Sequence, residues 1–348
     1  MTTSNGPRVG LITDPTHVAH ERVGHTERPE RLLAIMQHLE QTGLLGRMQQ
    51  LAAREATDEE LLAVHDQSVL DVVLEHSRQR GGGWIDLDTY VLPQSPAIAR
   101  RAAGAAVDAT LAVVRGDLSS AFVATRPPGH HATHSASMGF CLFNGIAVAA
   151  AAALRSGIER LAIVDWDVHH GNGTQAIFNA DPRVLYVSTH ASPFYPGTGD
   201  IGEIGAGDAR GTKVNIPLPH GTGDRGFIDA YERVAVPMME RFEPQLVLVS
   251  SGWDSHYRDP LGTLNVSTSA YTGAARAVID AAARLCGGRV VAVLEGGYDT
   301  HALAWSAAGL VELLLGEEPT PDPDPNAAPA GPDVTPLIEA VRGAFGLR

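Results

Sequence analysis

The stretch LAIVDWDVHHGNGTQ, Leu161 to Gln175, runs from four apolar residues straight into Asp165, Asp167, His169 and His170, then into Gly171, Asn172 and Gly173. Carboxylates and imidazoles at the end of a buried strand are costly to desolvate unless something compensates them. In extended chain the side chains alternate faces, so Asp165, Asp167 and His169 share one side, with neighbours two apart separated by roughly 6.6 Å along the strand. Side chains that lean together over that distance reach a common ion. A further ligand comes from Asp254, which ends the apolar run LVLVSSGWD. Two carboxylates and one imidazole leave a position open for water or substrate, as catalytic zinc sites do. Iron(II) suits the same mixed oxygen and nitrogen set. Taken alone, Asp167 could equally cap a helix or join a buried polar network. Grouped with Asp165, His169, Asp254 and the tandem His130 and His131, the carboxylates repel one another severely without a cation.

The elements that must position these residues are legible as an alternation. The β-rich runs RVGLITD, AFVATRPPG, LAIVDWDV, VLYVSTH, KVNIPLP, LVLVSSGWD and VVAVLEGGYD are separated by helical patterns, among them Pro29 to Gln41, Ser95 to Val114, Asn144 to Ala153, Gly226 to Phe242 and Ser269 to Leu285. Continuous apolar strands separated by helices indicate a parallel sheet covered on both faces. Ligands of such sheets bind beyond the carboxyl ends of the strands. Polar residues gather after five of the runs: Arg126, His130 and His131; Asp165, Asp167 and His169; Ser188, Thr189 and His190; Asp254; and Tyr298. The segment EEPTPDPDPNAAPAGPD, Glu317 to Asp333, has too much Pro and Asp for regular structure. Residues 1–316 are therefore expected to form one catalytic domain, 317–333 a linker and 334–348 a helical appendage.

Composition narrows the function. A chain of 348 residues with 44% hydrophobic residues buries a large core. A formal charge of -14 with scattered Lys and Arg gives little support to nucleic-acid binding. Cys141 and Cys286 cannot build a disulfide framework, and no stretch approaches the roughly 20 apolar residues of a membrane helix. A soluble protein in a reducing cytoplasm is expected, with self-association left open.

The motifs RPPGHHA, GFCLFNGIAVAA, VDWDVHHGNGTQ, SSGWDSHYRDPLG and LEGGYD, in that order, resemble those of the histone deacetylase superfamily. They look most like those of bacterial class II-like deacetylases, the histone deacetylase-like amidohydrolases, and of acetylpolyamine amidohydrolases. The likeness runs from Arg28, Pro29, Glu30 and Arg31 to Tyr298. It implies a three-layer arginase/deacetylase-like α/β fold, its central, mostly parallel sheet covered by helices on both faces. It assigns zinc to Asp167, His169 and Asp254, and a structural potassium ion to Asp165, Ser188 and backbone oxygens of Asp167, His169 and Thr189. By the same resemblance His131 is the general base and acid, His130 gives electrostatic support, Asp165 orients His130, and Tyr298 faces the substrate carbonyl. Asn172 stands where other members carry Asp and should orient His131, leaving it a weaker base.

The resemblance also places Gly139, Phe140 and Tyr195 on the walls of a narrow acyl-lysine tunnel, with Leu261 at the rim and Asp88 beside Thr89 near the substrate backbone. Tyr195 stands where Phe is usual and makes that wall more polar. An apolar Leu261 leans towards acyl-lysine, whereas Glu21 or Glu27 could act as the acid that polyamine enzymes place at the entrance. His17, His20, His25 and His134 are expected on loops around that entrance. The expected activity is zinc-dependent hydrolysis of an N-acyl amide, foremost deacetylation of acetyl-lysine in proteins or peptides. Acetylpolyamine hydrolysis is the nearest alternative. A ureohydrolase with two manganese ions and a non-catalytic acyl-lysine binding module are more distant ones.

Overall fold

A computed structural model describes residues 6–324 and 328–347. Among these, the strands are β1 (Val9–Thr13), β2 (Gln49–Ala52), β3 (Gly83–Trp84), β4 (Tyr90–Val91), β5 (Ser120–Ala124), β6 (Leu161–Asp165), β7 (Val184–Ala191), β8 (Lys213–Leu218), β9 (Val247–Ser251) and β10 (Val290–Leu294). The seven apolar runs all enter one eight-stranded sheet, and the polar β2 adds an edge. Every neighbouring pair in it is parallel. The order β2-β1-β5-β10-β9-β6-β7-β8 sets β5, β10, β9 and β6 side by side at the centre. Their carboxyl ends therefore converge, and these are the strands followed by His130 and His131, Tyr298, Asp254, and Asp167 and His169.

Alternation along each strand splits the apolar residues into two cores. Phe122, Val164, Val249 and Ala292 face one side with Leu32, Ile35, Val278 and Leu310, whereas Val123, Ile163, Leu248 and Val291 face the other with Val73, Val107 and Val148. Helices Glu30–Gln41, Thr268–Cys286 and Thr300–Leu314 thus cover one face, and Gln67–Ser77, Ser95–Arg115 and Gly145–Arg155 the other. Each fully buried Val, Leu or Ile contributes roughly 1.5–3 kcal/mol. The chain has the three-layer fold that its sequence implies: a parallel sheet between helices.

Helix starts fix the strand exits. Asp299 accepts from Ala302 N and caps Thr300–Leu314, which holds Tyr298, the residue before it, at the sheet edge. Asn144 likewise caps Gly145–Arg155 by accepting from Ala147 N. The expected helix from Gly226 to Phe242 starts at Asp224 and is interrupted by a π-helical turn at Tyr231–Ala235. Pro237 explains the interruption, because its ring would clash with the carbonyl four residues earlier and it has no N–H to donate.

Helix Thr335–Phe345 inserts Ile338, Val341 and Phe345 into the first core. Residues 317–324 have no regular structure and lie along the body through Arg47–Glu317, His301–Asp322 and Arg258–Asp324 pairs. Cys141 and Cys286 are buried and unpaired with each other. Among the described residues, no helix is long and apolar enough to cross a membrane.

Candidate active site

Asp165 is the last residue of β6, and the chain leaves extended conformation after it. Strict alternation therefore does not group Asp165, Asp167 and His169. A loop does, and its amides are anchored by the carboxylates themselves. Asp167 N donates to Asp165 Oδ1 (3.2 Å), Val168 N to Asp254 Oδ1 (2.7 Å) and His169 N to Asp167 Oδ1 (2.9 Å). Asp167 and His169 turn towards Asp254, while Asp165 turns to His130.

The donor atoms of Asp167, His169 and Asp254 all lie within 4.8 Å of one another. His169 Nδ1 is 3.0 Å from Asp167 Oδ1 and 3.3 Å from Asp254 Oδ2. Asp254 Oδ2 is nevertheless buried without accepting a hydrogen bond. The backbone gives these carboxylates room: a Cβ on Gly252 would lie 2.1 Å from Asp167 Oδ2, and one on Gly296 2.1 Å from Asp254 Oδ2. Burial and the neighbouring Asp167 push Asp254 up to about 7. Burial acts the same way on Asp167, but His130 and His169 hold it far below the usual carboxylate range. His169, which burial alone would lower, is raised to about 9 by the two carboxylates. An orphaned buried oxygen, two crowded carboxylates and an imidazole fit a divalent cation, which supplies the missing positive charge. Among the described residues, this is the one His/Asp/Glu/Cys group with metal-donor spacing.

The tandem histidines differ sharply. His130 Nδ1 faces Asp165 Oδ2 at 3.1 Å and its Nε2 lies 3.8 Å from Asp167 Oδ1. Burial opposes its charge, but the two aspartates raise its pKa well above the ordinary value. His131 pairs with the neutral Asn172 Oδ1 at 2.8 Å, and burial together with His130 pushes it well below the ordinary value. Two imidazoles shifted in opposite directions thus stand side by side, ring centroids 4.1 Å apart. Asn172 does not cap the helix Asn172–Phe178, whose cap position is Gly171.

A cavity of about 210 Å³ opens onto these groups. It is lined by His130, His131, Asp167 and His169, by Gly139, Phe140 and Tyr195, and by Asp88, Leu261 and Tyr298. Gly139 is required: its φ is +57°, and a Cβ there would meet the His131 ring at 2.5 Å. Phe140 itself has φ +68°, and Thr89 Oγ1 holds it by accepting from its N–H at 3.1 Å. Tyr298 is buried; Arg31 lies 4.7 Å above its ring, and Asp259 Oδ2 accepts from its N–H at 2.6 Å. Burial keeps its phenol protonated far beyond the ordinary range.

Ser188 lies opposite Asp165 in the β6–β7 register, its Oγ 2.9 Å from His190 Nδ1. Thr189 Oγ1 turns away to Tyr231. Glu27 is not at the entrance: it is fully buried between Arg126 and Arg31, bonded to Arg126 Nη2 at 2.6 Å and Arg31 Nη1 at 3.0 Å. His17 and His20 are buried with it, because Arg126 takes both of their carbonyls. His25 does lie at the mouth, 3.0 Å from the Asp88 carbonyl, and Glu21 lines an adjoining hollow. Three contributors escaped sequence reasoning: Phe194, stacked on His169 at 5.1 Å, Asp259 and Glu295.

Comparison with known proteins identifies the family. The histone deacetylase domain matches residues 25–314. The chain is 39% identical to a probable deacetylase of Archaeoglobus fulgidus over 88% of this chain and 86% of that protein. It is 41% identical to the histone deacetylase-like amidohydrolase of Pseudomonas aeruginosa over 84% and 77%, and 41% identical to histone deacetylase 15 of Arabidopsis thaliana over 85% and 53%. The crystal structure of the HDA15 HD domain superposes with a TM-score of 0.88 at 36% identity, covering 97% of this chain and 96% of that one. The chain belongs to the histone deacetylase family.

Proposed function

We propose that the protein hydrolyses the acetyl amide of acetyl-lysine side chains in peptides or proteins. The observation that carries this reading is the cavity, about 210 Å³, lined together by Asp167, His169, His130, His131 and Tyr298. Asp167, His169 and Asp254 would hold zinc, which when bound polarises an amide carbonyl and makes water more acidic; iron(II) is the alternative for the same donors.

The chain's own groups divide the remaining work. His131, neutral beside Asn172, accepts the proton of the attacking water at Nε2 and returns it to the leaving amine. His130 stays cationic against Asp165 and favours the negative charge that develops on the carbonyl oxygen. Tyr298, held protonated, donates its hydroxyl hydrogen bond to that oxygen. Phe140 and Tyr195 enclose the methylene chain and exclude water, while Asp88 accepts from the substrate backbone at the rim. Asp165, Ser188 and backbone oxygens of Asp167, His169 and Thr189 are assigned to a structural potassium ion. Residues 1–316 are assigned to the catalytic domain and 317–333 to a linker, with 334–348 an appendage whose helix Thr335–Phe345 packs into the first core.

Acyl-lysine is favoured over acetylpolyamine because the rim residue Leu261 is apolar and Glu27 is neutralised by two arginines. Exposed Val23 and Leu87, with Trp84 of β3, lie near the entrance and suit a polypeptide better than a polycation. A paired assay decides. The expected result is a kcat/KM for acetyl-lysine peptides at least about tenfold above that for N-acetylputrescine, the size of a 1.4 kcal/mol preference. The reverse ratio would make the protein an acetylpolyamine amidohydrolase.

A further inference from the structure

Glu295 follows β10 and is fully buried, yet no step above uses its carboxylate. Its Oε2 accepts from Gly129 N at 2.6 Å and from His130 N at 3.1 Å, and Ser250 Oγ lies 3.4 Å from Oε1. The backbone of Glu295 is anchored too: its N–H donates to Ser251 O at 3.2 Å, and its carbonyl accepts from Arg31 Nη2. Arg31 is the same guanidinium that lies over the Tyr298 ring. Gly296, the next residue, donates its N–H to Asp167 Oδ2 at 2.7 Å.

The loop that Glu295 grips carries both histidines. It leaves β5, the strand beside β10, and has little slack: a Cβ on Gly129 would meet Gly145 N at 2.8 Å and Phe143 O at 2.9 Å. The side chain of Glu295 therefore ties the exit of β5, with His130 and His131, to the exit of β10, with Tyr298. The base and the oxyanion donor come from different strands, and an error of about 1 Å in their relative placement costs on the order of 100-fold in rate.

We propose that Glu295 is a positioning residue that keeps the His130–His131 pair in register with Tyr298, by accepting the two consecutive backbone N–H groups of Gly129 and His130. This rests on the deacetylase reading above. The two backbone contacts require an acceptor oxygen, not a negative charge, because both are to neutral amides; the charge of Glu295 acts separately, on the His130 imidazole.

Two variants separate the possibilities, each zinc-loaded, assayed on an acetyl-lysine peptide and normalised to metal content. Glu295→Gln keeps an oxygen at the Oε2 position, so kcat should stay within about threefold of wild type. Glu295→Leu keeps the volume and loses the acceptor, so kcat should fall about 30-fold while KM, set by the cavity walls, changes by less than about twofold. Amide hydrogen exchange, read without substrate, should accelerate over residues 129–131 in Glu295→Leu alone, with β5 and β10 as protected as before. An unchanged kcat in Glu295→Leu would overturn the proposal, as would an equal loss in both variants, which would assign the role to charge. If the wild-type enzyme fails on the peptide, the substrate reading falls, and the exchange comparison still decides whether Glu295 holds the loop.

Discussion

Asp254→Ala is expected to give a folded chain that no longer retains its metal and has lost turnover with it. Asp254 contributes the carboxylate whose Oδ2 has no hydrogen-bond donor, so one coordinating oxygen disappears without replacement. Loss of an outer partner of a ligand typically weakens metal binding about 10–100-fold, and loss of a ligand should exceed that. Asp254 Oδ1 also accepts from Val168 N, so alanine loosens the loop that carries Asp167 and His169. Asp254→Asn separates the two effects, since its amide oxygen can still accept from Val168 while the anionic donor is gone. Both variants should fall well below one metal per chain. Wild-type stoichiometry in both would remove Asp254 from the site.

Tyr298→Phe should leave fold and metal content intact and lower kcat by roughly 100-fold or more, the size of one lost oxyanion donor. The substitution keeps what holds the residue: the ring under Arg31, its edge contact with Phe140, and the backbone N–H donated to Asp259. KM should change little, because the cavity keeps its shape. Normal kcat would exclude the Tyr298 hydroxyl from the reaction.

The layers were legible in the sequence because seven of the eight strands of the sheet are apolar on both faces, as a sheet sandwiched by helices requires. Their order was not. That β10 and β9 slot between β5 and β6 depends on pairings between segments distant in sequence, such as Val293 with Val123 and Val249 with Val164, which no local pattern encodes. The residue types around Asp167 pointed to a metal site, but through a premise that held only as far as Asp165. Beyond it, side chains are grouped by loop amides bound to carboxylates, an arrangement invisible to strand periodicity. Glu27 shows the same limit. Its partner Arg31 is four residues away, but Arg126 is 99 residues away, and the second arginine is what makes it a buried salt-bridge residue. Glu295 escapes sequence reasoning because its two partners are backbone amides and leave no mark on the sequence. The edge strand β2, short and polar, carries no strand signal at all.

The proposed chemistry requires one divalent cation shared by Asp167, His169 and Asp254. It is tested most directly by chelating the purified protein exhaustively, then titrating zinc back while following deacetylation of an acetyl-lysine peptide. Activity should vanish with the metal and return fully at one equivalent of zinc per chain. A chain that hydrolyses the peptide equally well after complete metal removal, or that needs two equivalents for recovery, would contradict it.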